Sequence, residues 1–81
     1  MKITINNGRR PYSVEKFASL IDFIGPLSIH YEKNGKSWSV PFSTGWAAGF
    51  IAVGAINDGA ADYAAITDRT TGELFAEYRA I

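Results

Sequence analysis

His30 is the sole imidazole in the chain, and its neighbours pose the first question of chemistry. Ser28 and Glu32 lie two residues to either side. Ser39 falls opposite if residues 27–42 fold back as a hairpin. A serine–histidine–carboxylate set is therefore available by residue type. Its geometry is poor, because neighbours on one sheet face supply neither an oxyanion hole nor a pocket. As a metal site it fares no better, since one histidine leaves only carboxylates to complete the shell. The reading is an exposed strand histidine. No catalytic residue is assigned, and a small enzyme working through His30 is the least favoured alternative.

The remaining polar residues invite binding rather than catalysis. Asp58, Asp62 and Asp68 do not have the alternate-residue spacing around a central glycine that a calcium loop requires. Helix ends and turns use aspartate routinely, so no metal and no cofactor is expected. Ser43, Thr44 and Gly45 offer hydroxyls and amides at a helix start, which suits an anion. Without the lysine and glycine spacing of a phosphate loop, they read as an ordinary cap. Gly45 and Gly49 match the small-xxx-small spacing of close helix pairs; tight packing of a helix on a sheet is preferred to a dimer seam.

Charged turns are the candidate contact surface. Arg9, Arg10, Lys33 and Lys36 sit in two turns with Tyr12 nearby, and Asp58, Asp62, Asp68 and Glu73 supply the opposite sign, with Glu77 beyond them. Residues 1–44 carry six cations against three anions, a net +3, and residues 45–81 carry two against five, a net −3. The pattern makes a dipolar molecule if the halves occupy different sides. Interleaved strands would neutralise it. The whole chain has zero net charge, so direct nucleic-acid binding is not expected.

These residues need elements to hold them. Residues 2–6 alternate as a first strand. Ser13 can cap a helix in which Val14, Phe17, Ala18, Ile21 and Ile24 recur at helical spacing, with Gly25 and Pro26 stopping it. Residues 27–33 (LSIHYEK) and 36–42 (KSWSVPF) alternate around Asn34-Gly35, the signature of a type I′ hairpin. A two-residue turn pairs Tyr31 with Trp38, Ile29 with Val40 and Leu27 with Phe42. Pro41 marks the second of these strands as an edge. Ser43 or Thr44 caps a further helix through Trp46, Phe50, Ile51, Val53 and Ile56, ended by Asn57, Asp58 and Gly59. Its glycines lower its propensity, so burial must hold it. Residues 63–68 and 74–81 form a second hairpin, with Gly72 as the left-handed residue of a bulged loop. That pairs Ile66 with Ala76 and Ala64 with Tyr78. Tyr31, Trp38 and Phe42 are expected on the helix-covered face, as core.

Composition bounds the class. Eighty-one residues make one domain, 1–81, close to the lower limit for a self-sufficient core. A hydrophobic fraction of 47% excludes the disordered class. With no cysteine, disulfides and thiolate sites are excluded, which fits a reducing cytosol. Residues 1–7 alternate like a strand rather than a signal peptide, and the apolar run 46–56 is too short for a bilayer. A cytoplasmic protein without membrane contact is expected.

The fold expected is α+β, in the order β-α-β-β-α-β-β: a mainly antiparallel sheet of about five strands with two helices packed on it. In size, lack of cysteine and order of elements, residues 1–81 resemble small phage-encoded anti-defence proteins of the anti-CRISPR type. No motif carries the resemblance, and no functional residue is transferred by it. It implies stoichiometric inhibition of a larger host protein or ribonucleoprotein complex that handles nucleic acid. The function expected is thus a non-enzymatic protein-binding module. The alternative is a self-associating structural or assembly subunit, with a homodimer through the edge strand or the glycine-lined helix.

Overall fold

The structure is a computed structural model and describes residues 2–6, 10–16 and 20–81, with Lys16 described by its backbone alone. Six strands and one helix follow in chain order: β1 (Lys2–Ile5), β2 (Tyr12–Lys16), β3 (Ile24–Lys33), β4 (Lys36–Thr44), α1 (Gly45–Asn57), β5 (Tyr63–Asp68) and β6 (Leu74–Ala80). They build one antiparallel sheet in the order β1-β2-β6-β5-β3-β4.

This corrects the expected architecture of about five strands and two helices. The first predicted helix is absent among the described residues. Ser13, its expected cap, and Val14 lie in β2, hydrogen-bonded between β1 and β6. Residues 12–16 fit a strand better than a helix start because Tyr12 and Val14 share one face and bury it, while β-branched Val14 favours extended backbone. Phe17 and Ala18 lie outside the described residues. Ile21 and Ile24, which helical spacing placed on a buried face, are 68% and 82% exposed. Gly25 and Pro26 do not stop a helix. They occupy a register shift in β3 between Ile24 and Leu27, where a missing proline amide is tolerated.

Both hairpins form in the predicted register. Asn34 (φ 51°) and Gly35 (φ 79°) take the left-handed backbone of the type I′ turn, and Tyr31, Ile29 and Leu27 pair with Trp38, Val40 and Phe42. Ile66 pairs with Ala76 and Ala64 with Tyr78, with the bulge after Ile66 and Gly72 left-handed at φ 79°. β4 is an edge strand, as Pro41 suggests.

Thr44 caps α1, its hydroxyl accepting from the Ala47 amide at 3.4 Å. Gly59 in the left-handed region ends the helix, its amide donating to the Ile56 carbonyl at 3.1 Å. The core lies between α1 and one face of the sheet. Leu27, Ile29, Ile66 and, from the helix, Ile56 are its largest fully buried side chains, each contributing roughly 1.5–3 kcal/mol. Ala48 and Ala52 bring the helix backbone close to the sheet.

Candidate functional site

The sheet face away from α1 carries His30 and its predicted neighbours. The β3–β4 register sets His30 opposite Ser39. The ring nitrogens lie 3.0 Å from Glu32 Oε2 and 3.4 Å from Ser39 Oγ. From β5, Tyr63 meets the imidazole edge-on with centroids 6.3 Å apart, and the Arg79 guanidinium lies 4.4 Å over the Tyr63 ring. The Tyr63 hydroxyl donates to Glu77 Oε2 at 2.5 Å. Burial and then the Glu77 carboxylate push the Tyr63 phenol up to about 12. The residue types come together on the side of the sheet away from α1. Glu32 and Tyr63 of this cluster line a shallow depression of about 400 Å³ with Lys33, Lys36, Ser37 and Asp62. Among the described residues, no cluster of three or more histidine or carboxylate side chains is arranged to hold a metal ion.

The predicted charged surface is divided by the fold. Arg10, Lys33 and Asp62 come together from three distant segments: the Arg10 guanidinium donates to Asp62 Oδ1, and Lys33 Nζ lies 3.4 Å from the same oxygen. The Arg10 hydrogen bond, with Lys33 alongside, holds the Asp62 carboxyl below the usual carboxylate range. Asp68 is buried and spends its carboxylate on the turn, accepting from the amides of Thr70 at 2.7 Å and Thr71 at 3.4 Å. Asp58 caps the C-terminus of α1. Glu73 and Lys36 are exposed at opposite hairpin turns, and Arg9 lies outside the described residues. The +3 and −3 halves interleave, because β2 and β3 of the first half lie beside β6 and β5 of the second.

The largest departure from the sequence reading is α1. The sequence reading runs a buried helix through Trp46, Phe50, Ile51, Val53 and Ile56 with its small residues close to the sheet; of these five the helix buries only Ile56, together with Gly45, Ala48 and Ala52. Trp46 and Phe50 are 65% and 69% exposed, their rings nearly parallel (3°) with centroids 6.0 Å apart. The arrangement has a steric cause. A Cβ at Gly45 would lie 1.5 Å from the Leu20 carbonyl oxygen, and one at Gly49 would touch the Tyr78 hydroxyl at 3.4 Å. The small residues are the ones that fit inward, so the glycine spacing serves packing inside the chain. The Gly45 amide donates to the Phe23 carbonyl at 2.9 Å, tying the helix start to the turn before β3. This bond and the Thr44 cap occupy two of the first-turn amides, those of Gly45 and Ala47.

Beside the aromatic pair runs a groove of about 600 Å³, walled by Tyr12, Leu20, Ile21, Val53 and Tyr78. On the β4 side the core face thins: Tyr31 is buried, Phe42 half-buried, and Trp38, stacked on Tyr31 at 5.5 Å, is exposed. One signal could have revealed this surface. All thirteen residues of α1 are uncharged, and a helix apolar all round cannot bury both sides against a single sheet. No family model, curated protein or solved structure matches the chain. No helix among the described residues is long and apolar enough to cross a membrane.

Proposed function

We propose that the chain is a non-enzymatic protein-binding domain whose contact surface is the outward side of α1. The observation that carries this reading is an uncharged thirteen-residue helix displaying Trp46 and Phe50 beside a mainly apolar groove with Asp22 in its wall. Contiguous apolar surface of this kind marks interaction sites, and Trp is prominent among the residues that anchor them. The charged turns support it less well, since Arg10, Lys33, Asp62 and Asp68 are committed to partners within the chain. Inhibition of a host complex that handles nucleic acid belongs to this reading as one form of it. That form stands on the resemblance in size and order of elements, and the order is corrected above.

The test is capture by a tagged chain at moderate salt, counting both untagged copies of the chain and other proteins. Wild type is expected to retain a partner at fixed stoichiometry. The Trp46→Glu, Phe50→Glu double variant should lose it while its circular dichroism is unchanged. Equal capture by both proteins removes α1 as the contact. Loss on reversing Glu73 and Lys36 instead would move the site to the hairpin turns.

A further inference from the structure

Building on the reading of α1 as a contact surface, we infer that its occupant is a second copy of this chain. The two copies pack about a two-fold axis, with the Trp46–Phe50 ridge of each entering the groove of the other. A two-fold interface must be self-complementary, presenting its own knob and its own hole on one patch. Here they are adjacent: the aromatic ridge forms one wall of the groove it would fill in a partner. Gly54 lies four residues beyond Phe50, about one turn further along α1. A Cβ there meets nothing within 4 Å, which leaves room for a close helix–helix approach.

Area and charge agree. At their observed exposure Trp46 and Phe50 offer roughly 100–160 Å² each, from the 150–250 Å² an aromatic can bury. Ile21, exposed as well, lines the same groove, and Leu20, Asp22 and Val53 add their exposed parts, so a surface approaching the ~800 Å² per side of a stable interface is within reach. The chain has zero net charge, so two copies do not repel. Homodimer interfaces are also the more apolar class, with charge depleted at their centre. A bilayer surface is disfavoured, because an interfacial helix needs a charged face, rich in cations, that α1 lacks.

Sedimentation equilibrium of the full chain across the micromolar range tests this. Wild type is expected at twice the 8.8 kDa chain mass. Trp46→Glu with Phe50→Glu should raise the dissociation constant ~100-fold or more. Gly54→Lys places a charge one turn beyond Phe50, beside the aromatic ridge, without an internal clash. It should also dissociate the dimer, and the melting temperature of the dilute monomer should not fall, because glycine is the poorer helix former. A dimer indifferent to both variants overturns the inference. So does a wild-type monomer at every concentration. In that case, loss of a captured partner by the double variant would leave the contact-surface reading standing, and unchanged capture would end both.

Discussion

Arg10 closes on Asp62 across 52 positions of sequence, and that pairing turns an apparent contact patch into internal structure. It gives a signed pH dependence. Asp62 titrates below its ordinary 3.8 in the folded chain, so its contribution is complete above that value. As pH falls further, the unfolded chain takes up the proton first and stability drops. Asp62→Asn should remove this part of the acid limb in a melt series from neutral pH to pH 2. An unchanged limb would mean the carboxylate is not held by Arg10. Alkali acts in the opposite sense. Tyr78 is pushed up to about 12 by burial and by Tyr12 beside it. Between about 10 and 12 the unfolded phenol ionises while the folded one stays neutral, so stability is lost as pH rises through that window. Tyr78→Phe should flatten the loss, followed by melting against pH with tyrosinate absorbance as the monitor. None of these pairings was legible in the sequence, because each joins residues whose proximity only the strand order creates.

Local turn chemistry made the two hairpins legible. Asn34-Gly35 and Gly72 demand left-handed backbone, and strict alternation fixed the pairing on either side. The 12–24 segment misled because Val14, Ile21 and Ile24 satisfy helical spacing while Tyr12 and Val14 also satisfy alternation. Two neighbouring strands with unpaired edges settle that competition in favour of β2. For α1, limits and cap were legible but the buried face was not, since a helix apolar on all sides carries no directional signal. Its glycines now separate by role. Gly45→Ala forces a methyl into the Leu20 carbonyl and should cost about 3 kcal/mol, the upper range for overpacking. Gly54→Ala enters open space and should gain about 0.5–1 kcal/mol. Urea melts of the dilute protein read both. Equal effects at the two positions would contradict the placement of Leu20 over the start of the helix.

At the scale of the molecule, the sheet is covered on one face by the single helix among the described residues, and that helix has one side to spare. The strands of the two oppositely charged halves interleave in the sheet, β2 beside β6 and β3 beside β5. What distinguishes the surface is apolar: Trp46 and Phe50 over the groove, with Ile21 and Ile24 exposed as well. Burying them in a partner accounts for an arrangement that an isolated monomer would be expected to avoid. The most direct measurement is collisional quenching of Trp46 fluorescence in a Trp38→Phe chain, as a function of protein concentration. Trp46 should be readily quenched when dilute and shielded severalfold as concentration rises, with Gly54→Lys abolishing the shielding. Quenching that stays high and constant at every concentration would show that no second copy covers α1, and would contradict the dimer.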